Sequence, residues 1–177
     1  LSEEVLGMVL RNAGDPEKRV RAVLALKRMS QKAATPLLRL ALKDPSDDVR
    51  LLAYALLDGV DEEMNRRIRR RSEALKTAEG DDRFILHKAL AFSRWDRAYL
   101  GLATGAVQKQ SLNRAGEELQ AALLLREDPS CWLLLGRVYI VQGLLDEAEH
   151  ALHRSLDGGL DTSSVRPYLA EVAFLKG

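Results

Sequence analysis

Apolar side chains along this chain fall at the three- and four-residue intervals of helices. Trp132, Leu135 and Tyr139 lie on one helical face, with Gly136 beside them. Gly136 and, further on, Ala148 are small enough to let two helices approach closely. The pattern predicts helices at roughly 83–108, 112–126, 130–142, 146–157 and 162–176. Asp128-Pro129 and Gly158-Gly159 mark breaks between them, the first as a cap with Pro at the helix start. In the first third, shorter apolar runs at Val5–Leu10, Ala22–Met29, Pro36–Leu42 and Leu51–Leu57 predict four more helices. Between the two sets, Met64, Ile68 and Leu75 make a narrow stripe on an Arg-rich connecting helix over 61–76. Its acidic residues come first and its basic ones last, the order that suits a helix dipole. It is expected to end near Glu79-Gly80, with Asp81-Asp82 capping the next helix.

Two segments repeat. The spacing Trp132-x-x-Leu135-Gly136-x-x-Tyr139, followed by Gly143, Ala148, Leu152 and Ser155, resembles the tetratricopeptide (TPR) helix–turn–helix. A forward step of 34 residues places Leu135, Gly136 and Gly143 onto Leu169, Ala170 and Gly177. A backward step of 33 places Trp132, Leu135, Gly136, Ala148 and Leu152 onto Tyr99, Leu102, Ala103, Ala115 and Leu119. Nearer the N-terminus, Asp15-Pro16-x-x-x-Val20-Arg21 recurs 29 residues later as Asp44-Pro45-x-x-x-Val49-Arg50. That pattern resembles the short HEAT-like repeat. The expected fold is all-α, an α-solenoid with HEAT-like repeats over 1–60, the connecting helix over 61–80, and TPR repeats over 81–177, the last truncated.

Composition agrees with helices and excludes little else. Of 177 residues, 46% are apolar and only 5% aromatic, which favours helix over sheet. Charged residues make up 30%, yet the net charge is +1, so no global field argues for nucleic acid. The single Cys131 rules out an intramolecular disulfide and fits a reducing compartment. No apolar run reaches the length needed to span a bilayer. The chain opens without Met and closes inside a helical pattern, so it is expected to be a fragment of a longer protein.

Four features invite a chemical reading. Arg66, Arg67, Arg69, Arg70 and Arg71 form a basic patch suited to phosphates, acidic lipids or an acidic partner. Acidic neighbours dilute it and no aromatic interleaves it, so a solvated face paired at i,i+4 with Asp61, Glu62 and Glu63 explains it better. His150-x-x-His153, near Asp146 and Glu149, lacks the further ligands zinc requires, and no metal is expected. Cys131 has no second Cys in reach and reads as a packed thiol. Adjacent carboxylates such as Glu117-Glu118 point apart on a helix, and no catalytic constellation or cofactor motif is present in the sequence, so no enzyme activity and no cofactor are expected.

The TPR resemblance implies a concave groove lined by the first helix of each unit. In the central unit its positions are Ser130, Leu133, Arg137, Ile140 and Val141. In the unit before they are Arg97, Leu100, Thr104, Val107 and Gln108, and in the truncated unit Ser164, Pro167, Glu171, Phe174 and Leu175. Leu133 and Val141 stand where the TPR type that clamps a terminal carboxylate carries Lys or Asn. The groove is apolar with a polar edge, suited to a partner helix.

The order of parts is distinctive: a HEAT-like pair containing Asp48-Val-Arg-Leu-Leu-Ala-Tyr-Ala-Leu-Leu-Asp58, an Arg-rich helix, then Trp-Leu-Leu-Leu-Gly-Arg-Val-Tyr and Val-Arg-Pro-Tyr-Leu-Ala-Glu-Val-Ala-Phe. It resembles the cytoplasmic region of the PelE family of bacterial Pel exopolysaccharide synthesis. The resemblance implies a scaffold at the cytoplasmic face of the inner membrane, anchored N-terminal to Leu1. It implies the cyclic-di-GMP receptor PelD as partner, with PelF and PelG in the same complex. Self-association through open solenoid ends is also expected. A generic TPR adaptor for a peptide or helix of an unrelated partner is the alternative; a nucleic-acid-binding helical repeat is a third.

Overall fold

Four helix starts in this chain coincide with side chains that supply acceptors for the unpaired N–H groups of the first turn. Ser2 accepts from the Val5 N–H, Asp15 from Glu17, Ser30 from Ala33 and Asp128 from Cys131. Pro16 and Pro129 sit in first turns, where a missing N–H costs nothing. In the computed structural model, which describes residues 2–101 and 103–177, the described residues form nine helices and no strand. They are α1 (Glu3–Asn12), α2 (Pro16–Leu26), α3 (Gln31–Ala41), α4 (Asp47–Leu75), α5 (Asp81–Tyr99), α6 (Gly105–Leu125), α7 (Pro129–Gln142), α8 (Leu145–Asp157) and α9 (Thr162–Lys176). The fold is all-α. Among the described residues, no helix is long and apolar enough to cross a membrane.

Several boundaries differ from expectation, among them the start of α3, which is Gln31 rather than Pro36. The runs at 51–57 and 61–76 are one continuous helix, α4. The only breaker between them is Gly59, and one Gly costs a helix about 1 kcal/mol, too little to end it. The helix expected over 83–108 instead stops at Tyr99. Gly101 and Gly105 adopt left-handed φ values of 71° and 56°, Thr104 is extended, and α6 begins at Gly105. Leu102 lies outside the described residues. At the start of α5, Gly80 takes the cap position while Asp81 and Asp82 occupy the first turn.

The chain divides into two compact units, Leu1–Arg66 and Arg67–Gly177. In the first, Leu6, Leu10, Val23, Leu26, Leu38 and Val49 form the core where α1, α2, α3 and the start of α4 meet. A buried ion pair accompanies this core. Arg19 meets Asp44 through two hydrogen bonds, Nε–Oδ2 at 2.7 Å and Nη2–Oδ1 at 3.0 Å. Its third donor, Nη1, reaches the Ala13 carbonyl. Asp44 also accepts from the Ser46 N–H at 2.9 Å, and Arg50 donates to the Asp44 carbonyl at 2.7 Å. Burial pushes the Asp44 carboxyl up, but the Arg19 and Ser46 hydrogen bonds and the Arg19 charge outweigh it and hold the pKa below the ordinary value.

In the second unit each helix packs on the next, and α7 also touches α5 and α9. One core cluster joins α5, α6 and α7 through Phe84, Trp95, Leu112, Leu119, Leu135 and Val138. Another joins α8 and α9 through Ala148, Leu152, Val165 and Val172. A Cβ at Gly136 would stand 2.8 Å from the Leu152 Cδ2, so the glycine is what lets α7 and α8 close up. Asp128 anchors the start of α7. It accepts from the Cys131 N–H at 3.0 Å, from the Ser130 hydroxyl and from Lys88 Nζ at 2.9 Å. Burial opposes its charge, yet these donors lower its pKa to about 2.

Three stability outcomes follow. Asp44→Ala strands the Arg19 guanidinium and should lower the urea midpoint clearly, whereas Glu73→Ala, which breaks the exposed pair with Lys76, should leave it unchanged. Gly136→Val should cost about 1–3 kcal/mol in urea unfolding through overpacking against Leu152. The Asp128 pKa is lower folded than unfolded, so its contribution is whole above pH about 4 and fades as pH falls toward 2. Asp128→Asn should flatten that acid limb in thermal melts recorded across pH, and Asp128→Ala should cost about 1 kcal/mol at pH 7.

Candidate partner-binding face

Eleven consecutive residues of α7, Cys131 to Val141, contain a single charged side chain, Arg137. The buried stripe of Cys131, Leu134, Leu135 and Val138 faces α5 and α6. Arg137 lies on another side, where α5 and α9 flank it. Its Cζ sits 4.7 Å from the Trp95 ring, 5.3 Å from Tyr99 and 4.9 Å from Tyr168. Trp95 and Tyr99, one turn apart on α5, stack with centroids 5.3 Å apart and planes 17° off parallel. Together with Ile140, Val141 and Glu171 these residues line a cleft of about 190 Å³. Rings on this scale hold a guanidinium by its face and leave its in-plane donors at the edge.

The residues expected to line the groove divide into three groups. Arg137, Ile140, Val141 and Glu171 do meet in this cleft, and Val141, Phe174 and Leu175 are exposed at 57%, 84% and 50%. Ser164 and Pro167 are also exposed. Leu133 and Ile140 are half-buried and pack on the α8–α9 cluster, so Leu133 is largely structural while Ile140 serves both that cluster and the cleft. The positions assigned to the preceding unit do not share a helix. Arg97 is on α5, Leu100 caps its end, Thr104 caps α6, and Val107 and Gln108 belong to α6, where Gln108 Nε2 donates to the Ala98 carbonyl. The 33-residue step fails there for the same reason. It aligns Trp132, near the start of α7, with Tyr99, the last residue of α5. In the helices that follow, the aligned positions Ala115 and Leu119 are fully buried, as Ala148 and Leu152 are. The rings of Trp95 and Tyr99 lie outside the groove positions that the 33-residue step assigns, and Tyr168 falls between the assigned positions Pro167 and Glu171. The lone Arg in an apolar run was the signal available.

A second, larger cleft of about 830 Å³ opens on α6, α7 and α8. Trp132, Leu135 and Tyr139 form part of its floor, and Leu124 stands 89% exposed at its side. Trp132 donates through Nε1 to Glu127 at 2.8 Å, Arg154 pairs with the other Glu127 oxygen at 2.8 Å, and the Arg154 guanidinium lies 4.9 Å over the indole. The Trp132 and Arg154 hydrogen bonds lower the Glu127 pKa. His150 meets the indole edge-on at 6.1 Å.

The remaining candidates fall into place locally. On α4, Arg66 pairs with Glu63 at 2.9 Å and Glu62 at 3.9 Å, and Arg71 donates to the Ser93 hydroxyl at 2.6 Å. Arg67 and Arg70 also have partners, and Arg69 is exposed on the same helix. His153 is exposed on α8, and the described residues hold no group of three ligands able to bind a metal. His87 is instead paired across helices with Glu118, Nδ1 to Oε2 at 2.5 Å. Cys131 is fully buried, and burial, helped by the Asp128 charge, pushes its thiol up to about 12. Such a thiol carries almost no thiolate at neutral pH and is inert.

Compared with known proteins, the chain matches no family model, no curated protein and no solved structure.

Proposed function

We propose that this chain is a non-enzymatic scaffold, an α-solenoid of HEAT-like and TPR hairpins, that holds another polypeptide against the face built by α5, α7 and α9. The observation that carries this reading is the composition of that face. Arg137 framed by three rings lies beside exposed Val141, with Phe174 and Leu175 exposed along α9. A fixed charge set beside an exposed apolar side chain, with further exposed apolar groups on the adjoining helix, suits a docking surface for an amphipathic helix. Affinity comes from apolar burial, at about 25 cal/mol per Å² before association costs.

The partner is proposed on the resemblance quoted from the sequence. The order of HEAT-like pair, Arg-rich helix and TPR segments supports a place among PelE proteins, at the cytoplasmic face of the inner membrane. PelD is then the docked component, with PelF and PelG in the same assembly. A generic adaptor would use the same face for another protein's helix.

Leu133 and Ile140 are unsuitable for testing this, because charge there would strip α7 from its neighbours. Val141→Glu combined with Phe174→Glu changes exposed positions only. The double variant should melt like the wild type yet lose PelD at least about tenfold in co-purification from cells. Undiminished capture by the folded variant would remove this face from the reading. A wild type that never retains PelD would leave the adaptor and end the Pel assignment.

A further inference from the structure

We propose that Arg137 is an anchor for a side-chain carboxylate, so that the docked helix presents a glutamate or aspartate flanked by apolar residues. This rests on the reading of the α5–α7–α9 face as a docking surface and adds the chemistry that selects the occupant. Three observations point there. The guanidinium is half-buried, with Trp95, Tyr99 and Tyr168 against it, and no carboxylate among the described residues stands within ion-pair distance. Its own helix offers none, since the residues three and four away are Leu134, Leu133, Ile140 and Val141. Five donors in a fixed fork, held by ring faces, therefore meet only solvent at their edge, which matches the two oxygens of a carboxylate.

Size and charge narrow the choice. A cleft of about 190 Å³ accepts a side chain, below the roughly 300 Å³ at which small-molecule pockets begin. Glu171 shares the cleft, so the local formal charge sums to zero and a phosphate dianion is opposed more strongly than a single carboxylate. Ile140 and Val141 beside the guanidinium supply apolar contact for the residues on either side of the acid. The larger cleft makes no such offer, because its Arg154 is already committed to Glu127.

The test uses a short Leu/Ala helical peptide carrying one Glu, with both ends blocked, and its Gln twin. Each is titrated into the nitrogen-15-labelled full chain while the Arg137 Nε–H and Trp95 indole signals are followed. The Glu peptide should bind about tenfold more tightly, and that preference should shrink with salt. It should vanish in Arg137→Gln and largely vanish in Arg137→Lys, which keeps the charge over the rings but loses the fork. Glu171→Gln should widen it. Equal binding of the two peptides, with the Trp95 signal still shifting, would overturn the carboxylate anchor and leave the docking face standing. Peptides that move neither signal would overturn the anchor as well, and the Val141/Phe174 variant judges the face separately.

Discussion

Helix α7 is the constraint on which the second unit depends. It is 14 residues long and packs against α5, α6, α8 and α9, so nearly every side of it must be apolar or very small. That demand explains the run Cys-Trp-Leu-Leu-Leu-Gly and the run Val-Tyr-Ile-Val on either side of Arg137. It explains Gly136, where Leu152 fills the space a Cβ would take. It also explains why the ends of α7 are fixed so firmly. Asp128 with three donors holds one end, and Gly143 in the left-handed region closes the other. A helix packed against four others cannot fray without opening both core clusters.

Arg137 is the one breach in that rule, and the breach is informative. A guanidinium among apolar neighbours must be solvated, paired or covered by something polarisable. Here rings cover it, each contact contributing about 0.5–1 kcal/mol where water still reaches. The arrangement satisfies the charge without neutralising it. An arginine paired to a carboxylate within the chain has its donors occupied; one held by ring faces keeps them available, even with Glu171 in the same cleft. Unit one shows the opposite solution. Arg19 spends its donors on Asp44 and the Ala13 carbonyl, and Asp44 in turn organises Ser46 and Arg50, so that cluster is closed to outsiders. The buried Arg19 and the half-buried Arg137 thus differ in what they leave available.

How much of this was legible in the sequence follows from the range of each interaction. Caps and short-range periodicity are local, so the helical class and most helix ends could be read directly. Ser30 and the α4 continuity were not, because a modest cap and a single Gly shift free energy by only about 1 kcal/mol and tertiary packing decides. The end of α5 was missed because Leu100 to Gly105 contains no Pro, and its break depends on two glycines adopting positive φ. That error carried the groove positions with it. Arg19–Asp44 and His87–Glu118 join residues 25 and 31 positions apart, and no local pattern announces such pairs.

A surface of this composition favours selectivity over strength. Exposed Val141, Phe174 and Leu175 reward any apolar helix in proportion to the area it covers, and area alone does not distinguish one such helix from another. A fixed cation does, because a partner placing an apolar or basic side chain over Arg137 must strip water from its donors and return nothing. Glu171 in the same cleft sharpens this further by weakening the field at long range while leaving the fork geometry intact at contact. Discrimination then falls on the dissociation rate of seated complexes more than on encounter, since a chain of net charge +1 has little long-range steering to offer.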